Sequence, residues 1–479
     1  MASKKTVTPD NLATLGAERL AAILVELADG DAEIKRRLRL ELAAEEGGDS
    51  IAAEIGKRIT MLRSARSFVD WQKQRDFVRD LDLQRAMIAD RVAATRADLA
   101  LDLMWRFLDL AEPVINRVDD SNGSVGDVFH SACEDLGGIA IRAKPNPADL
   151  ADRVFAALLA NDYGAYDGLV PIMLPALGDT GAAHLKGRLM QALAKRSNAG
   201  GWDGRAEATR RALQDIADGQ EDVDGYIALV PTADRSKPHM AAEIGRRLLA
   251  TGRAAEALAA LESARPKRRL VRASDEDALL LAGYGADNVW EEAYIDALDA
   301  TGQQREAQRL RWAAFEERLS STYLHAYLKR LPDFEDVEAE DRAMQHALGF
   351  GSFSSALNFL REWPDQARAA QLVMARAPEI DGNLYFLLDP AAQLIEGKYP
   401  MAATLLRRAM IDDTLNGAKS TRYKHAARHL LECASLAPGI QGFGDVETHE
   451  SFIGRLRAKH GRKAGFWGQL GEASEGDRR

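Results

Sequence analysis

His425, His429 and Cys433 fall at i, i+4 and i+8, on one face of a single helix. Two imidazoles at that spacing can chelate zinc, and His449 or His460 would add a fourth ligand. The pattern lacks the acidic general base of an HExxH site, and Tyr423, Ala426 and Leu430 around it read as packing. The triad is therefore a metal candidate set against a satisfied helix edge. The most acidic loop is Asp119-Asp120-Ser121-Asn122-Gly123 with Asp127. It fails the calcium-loop spacing, because Val118 and Phe129 occupy the first and twelfth ligand positions, and it reads instead as a turn that caps the next helix.

Phosphate chemistry is offered by basic clusters. Between Ile55 and Arg75 stand Lys57, Arg58, Arg63, Arg66, Lys73 and Arg75, with Phe68 and Trp71 interleaved. Lys267, Arg268, Arg269 and Arg272 form a second cluster, and Arg455, Arg457, Lys459, Arg462 and Lys463 a third, followed by Phe466 and Trp467. Cations plus stacking aromatics are how single strands of nucleic acid are held. A solvated, charge-rich helical surface produces the same runs. No GxSxG elbow, P-loop or GxGxxG following a strand occurs, so no catalytic residue is assigned and no cofactor is expected.

Composition narrows the classes further. The chain has 479 residues, 46% hydrophobic and 28% charged, with a formal net charge of −10, so it is neither disordered throughout nor a polyanion binder as a whole. Two cysteines, Cys133 and Cys433, exclude a disulfide framework and any zinc site built on several cysteines. No apolar stretch approaches roughly 18 residues, and the polar start runs straight into a helical pattern. These features predict no membrane span, no secretory leader and a cytoplasmic location.

Helical signals recur and strand signals are nearly absent. Thr8 and Pro9 open a first helix whose Leu20, Ile23, Leu24 and Leu27 form an apolar stripe. A second starts near Ala32, with Ile34, Leu38 and Leu42 on one side, and Gly47-Gly48 closes it. Thr95 to Asp98 reads as a capping box ahead of a helix apolar on several faces. Lys144-Pro145-Asn146-Pro147 and the stretch Pro231 to Pro238 predict domain boundaries.

Beyond Pro238 the chain repeats. Gly252, Gly302, Gly351 and Gly397 stand about 50 residues apart, each followed five positions later by alanine: Ala257, Ala307, Ala356 and Ala402. Glycine ends one helix and a small residue lets the next cross it closely. Leu249, Leu298, Leu348 and Leu394 precede these turns, and Leu261, Leu310, Leu360 and Leu406 follow them, to close each hairpin. A long helix is expected from Arg305 to Leu331, stopped by Pro332.

The segments DDSNGSVGDVFHSACEDL from Asp119, PADLADRVFAALLANDYGAYDGLVPIMLPALG from Pro147, the GRAAEAL-type hairpins and FIGRLRAKHGRK from Phe452 resemble the helical region of bacterial SWIM zinc-finger proteins. They resemble more closely a group of alphaproteobacterial proteins that share this region without the finger. The resemblance spans roughly Leu12 to Leu470 and implies an all-α, tetratricopeptide-like protein. The finger's Cys-x-Cys and Cys-x-His pairs are missing here, so its zinc and contacts do not carry over.

The expected fold is all-α: an N-terminal helical bundle (residues 1–143), an intermediate helical region (148–230), a tetratricopeptide-like helical-repeat solenoid (239–470) and a disordered tail (471–479). The expected role is a non-catalytic scaffold or adaptor for a protein or peptide partner. Two alternatives stand beside it: a nucleic-acid-associated protein using the patches at 55–75 and 455–463, and a metal-dependent enzyme.

Overall fold

The structure is a computed structural model that describes residues 6–196, 204–266 and 286–471. Among these residues every regular element is a helix, and one isolated bridge pairs Val69 with Val118. None of these helices is long and apolar enough to cross a membrane. The chain forms two compact units, Met1–Pro231 and Thr232–Arg479. The division falls at the start of the Pro231–Pro238 stretch. Pro145 and Pro147, by contrast, separate two helices but not two cores. Lys144 turns left-handed (φ 48°) to end Ser124–Ala143, and the Asn146 side chain accepts the amides of Ala148 and Asp149 at 2.9 and 3.3 Å to start Pro147–Leu159. One apolar cluster nevertheless runs from Leu40 to Ile216, through Phe107, Phe129 and Leu136. Proline stops a helix, but only a gap in apolar contacts ends a domain.

Several local expectations change at the N-terminus. Thr8 does cap, accepting the Asn11 amide at 3.3 Å, but that helix is only Pro9–Ala13. The apolar stripe lies on the next helix, Ala17–Gly30, where only Ala28 is buried and Leu24, Val25 and Leu27 stay exposed. In Ala32–Glu46 the buried side chains are Leu40 and Ala43, and Leu42 is 68% exposed. The capping box does not form. The N-cap position falls on Arg96, whose guanidinium binds Asp98 at 2.9 Å, while the Thr95 hydroxyl donates back to the Val92 carbonyl at 3.4 Å. In the acidic loop Gly123 is left-handed (φ 74°), and Asp120 caps the helix by accepting the amides of Val125 and Gly126 at 2.8 and 2.9 Å.

In the second unit the four alanines are fully buried, each at 0–1% exposure. The glycines before them divide into two kinds. Gly252 and Gly302 are left-handed (φ 77° and 79°), and the amide after each reaches back to the carbonyl of Leu248 or Leu298 at 2.8 Å. That is the closure glycine makes possible at a helix end. Gly351 and Gly397 do not adopt positive φ. There the next helix is started from its own side, by the Ser352 hydroxyl accepting the Ser355 amide at 3.2 Å and by Pro400 in the first turn. Leu298, Leu261, Leu360 and Leu406 are buried, whereas Leu249, Leu310, Leu348 and Leu394 are half-buried. The long helix divides into Gln304–Arg318 and Ser321–Leu328, because Leu319 turns left-handed (φ 52°) to bury its side chain.

Enlarging a residue at such a crossing forces the helices apart. Ala307→Leu should destabilise the chain by about 1–3 kcal/mol, read as a lowered urea midpoint. Ala255→Leu, on an exposed position of the Ala254–Ser263 helix, should leave the midpoint nearly unchanged. Equal shifts for both would show that the small residue is not what sets the crossing.

Candidate functional site

Three helices of the second unit, Tyr385–Ile395, Pro400–Asn416 and Tyr423–Leu436, line a cavity of about 370 Å³. Asp389 comes from the first, Met410 and Thr414 from the second, and His425, Arg428 and His429 from the third. Backbone approach is tightest at Gly382, where a β-carbon would overlap the carbonyl of Ala409. Only glycine lets that chain pass so close to the neighbouring helix.

His429 is the most constrained of these side chains. It is 4% exposed, and its Nδ1–H donates to the Glu432 carboxylate at 2.9 Å. Burial holds the imidazole pKa below its ordinary value, against the raising influence of Glu432 and Asp389. Burial raises Glu432, but hydrogen bonds from His429 and Arg407 outweigh it and hold the carboxyl below the usual range. Arg407, only 1% exposed, donates from Nε to Glu432 at 2.7 Å and also binds Glu396. Arg428 donates to Asp389 at 2.9 Å.

Arg422 is different. One nitrogen donates to the neutral amide oxygen of Asn383 at 3.1 Å, and the guanidinium lies 4.6 Å from the centre of the exposed Tyr385 ring. It has no carboxylate partner among the described residues. A cation stacked on an aromatic face and left without a counter-charge is a ready contact for an anion.

The metal candidates are not brought together as their helical spacing suggests. Asp389, His429 and Glu432 are the group whose donor atoms lie within 4.8 Å of one another. His425 is exposed and outside that group, though it lines the same cavity. Cys433 is fully buried, its thiol faces the Thr404 carbonyl at 4.0 Å, and burial pushes its pKa up to about 12. Cys133 is likewise buried, with its thiol pushed up to about 12. Arg407 already binds Glu432, and Arg428 binds Asp389 through Oδ2, whereas Asp389 Oδ1 is buried without a hydrogen-bond partner among the described residues. Glu432, three residues from His429 on the same helix, was within reach of sequence reasoning. Asp389 and Arg407 come from other helices and carry no local signal.

The basic clusters separate as well. Lys57 pairs with Glu54 at 2.5 Å, and Arg58 donates to Asp80 at 2.9 Å. Arg63, Arg66, Lys73 and Arg75 are exposed without a carboxylate partner among the described residues, beside Phe68 and Trp71, which are 66% and 75% exposed. In the C-terminal cluster Arg455 is bound at 3.0 Å by Asp412 and by Glu447. Phe466 and Trp467 are buried in the core with Phe452 and Leu456, so no aromatic face is left there for stacking. Lys267, Arg268, Arg269 and Arg272 lie outside the described residues, as does the tail from residue 472.

The fold and the site define an all-helical protein of two units, with a cationic, histidine-lined cavity in the second. Residues 2–469 match the family of unknown function DUF6880, and the chain belongs to that family. No curated protein matches it. Among solved structures it is similar to a circular tandem repeat protein with novel repeat topology and enhanced subunit contact surfaces. The identity is 14%, over 94% of this chain and 97% of that one, with a TM-score of 0.12, too low for the two folds to be equated.

Burial also depresses His449 and His460 in this unit. Below the ordinary histidine value of about 6.5 the unfolded chain binds protons that the folded chain refuses. Stability should therefore be fully present above pH 6.5 and fall as pH drops from there toward the depressed folded values. The urea midpoint should be lower at pH 5.5 than at pH 7.5, and His429→Asn should flatten the difference. A midpoint that rises on acidification would reverse the assigned sign.

Proposed function

We propose that this chain is a non-catalytic, helical-repeat binding protein. In this reading the second unit is a tetratricopeptide-like solenoid, and its cavity receives an acidic segment of a protein partner. The observation that carries it is Arg422, stacked on the exposed Tyr385 with no carboxylate partner among the described residues, beside a cavity of about 370 Å³. The buried alanine at one register in four successive hairpins supports the repeat, because stacked hairpins bury the faces that single ones cannot. Kinship with the helical region of SWIM zinc-finger proteins belongs to the same proposal.

A displayed peptide library selected on the full chain should return sequences rich in Asp and Glu. Arg422→Glu, which reverses the charge, should lower their binding at least tenfold. Selection of peptides without acidic bias, or equal binding to the variant, would overturn the reading.

A second reading is favoured by the stretch from Arg63 to Arg75, where exposed Phe68 and Trp71 lie in sequence among Arg63, Arg66, Lys73 and Arg75, four exposed cations without a carboxylate partner among the described residues. That arrangement suits a single-stranded nucleic acid. Binding of a labelled oligonucleotide should weaken steeply with salt, and Trp71→Ala should lower it by about tenfold. Salt-independent binding, or none, would dismiss it.

A further inference from the structure

The first unit contains a cavity that neither reading uses. It has a volume of about 360 Å³ and is lined from three helices, Ala32–Glu46, Gly48–Ser64 and Trp71–Ala86. Five of its lining residues are cations: Lys35, Arg36, Arg39, Lys57 and Arg58. Asp80, on the third helix and 3% exposed, accepts from Arg36 at 2.9 Å and from Arg58 Nε at 2.9 Å. A single carboxylate therefore holds two guanidiniums in place and neutralises only one of them. Lys35 pairs with the exposed Asp29 at 3.3 Å, and Lys57 pairs at 2.5 Å with Glu54, a half-buried carboxylate that also lines the cavity. Arg39 has no carboxylate partner among the described residues. The wall is built with an excess of fixed positive charge.

Gln84 supplies the second observation. It lines the same cavity, is 0% exposed, and neither its Oε1 nor its Nε2 has a hydrogen-bond partner among the described residues. A buried amide left so is costly, because it has given up water without gaining a partner. Its neighbours on the helix include Leu81, which is fully buried, so an apolar residue would have served packing alone. An amide there carries one donor and one acceptor side by side, which a ligand reaches once the side chain turns toward the cavity. Glutamine pairs in that bidentate manner with the edge of a purine, which carries an acceptor next to a donor. Arginine in turn matches phosphate oxygens with paired donors.

We infer that this cavity binds a nucleoside monophosphate, with the phosphate against Arg36, Arg39 and Arg58 and the base edge against Gln84. The volume lies near the lower end of the range for small-molecule sites, roughly 300–1,000 Å³, which suits one nucleotide and not a polymer.

Calorimetry on the full chain at constant ionic strength tests this, with adenosine monophosphate, guanosine monophosphate, ribose 5-phosphate and inorganic phosphate as separate titrants. At least one nucleotide should bind tenfold or more tightly than ribose 5-phosphate or phosphate. Gln84→Leu, which replaces the buried amide with an apolar side chain of similar size, should still fold. It should reduce nucleotide binding to the ribose 5-phosphate level and leave phosphate binding unchanged. Arg39→Ala should weaken every titrant, with its thermal unfolding checked in parallel. No saturable binding, or phosphate binding as tightly as nucleotide, would overturn the assignment. So would a nucleotide preference that survives Gln84→Leu, or an oligonucleotide that binds with the same Gln84 dependence.

Discussion

A charge withdrawn from water must be answered by another, and both cavities are arranged around that requirement. In the first unit Asp80 is the answer: one buried carboxylate draws Arg36 and Arg58 from two different helices to the same point. In the second, Glu432 gathers His429 from its own helix and Arg407 from the one before it. Removing one partner of such a group strands the others at a cost of about 3–5 kcal/mol, which exceeds what a single apolar contact contributes. The side chains that line each cavity are thus held by electrostatics set one layer behind them. Arg311, 2% exposed and bound to Asp299, fixes a helix pair in the same manner.

The apolar framework is organised differently. Ala257, Ala307, Ala356 and Ala402 work by lacking bulk, which lets neighbouring helices meet along their backbones. Gly382 carries the same logic to its limit beside Ala409. Close contact between elements near in sequence and pairing of charges far apart in sequence are complementary. The first places the helices, and the second selects which polar side chains survive between them.

This division explains what could be read from the chain. The four alanines and the all-helical character depend on residues close together, so spacing reveals them. Leu42, apolar yet exposed, and Leu319, whose left-handed turn splits an expected single helix, depart from what spacing predicts. Periodicity describes one helix at a time and is silent on its neighbours. The candidate sites suffered most. His425 and His429 do share a cavity, but Asp389 and Arg422 have no pattern that points to it. Lys57 and Arg58 read as part of an external stripe, whereas Arg58 turns inward to a carboxylate 22 positions away.

The two cysteines, one in each unit, are both sealed from solvent and both strongly disfavoured as thiolates. Neither can be alkylated, glutathionylated or oxidised until the helices around it part. The rate at which each sulfur becomes modifiable is then a clock for the opening of its own unit. The chain carries two such clocks, placed by its own sequence, that report separately without any label being introduced.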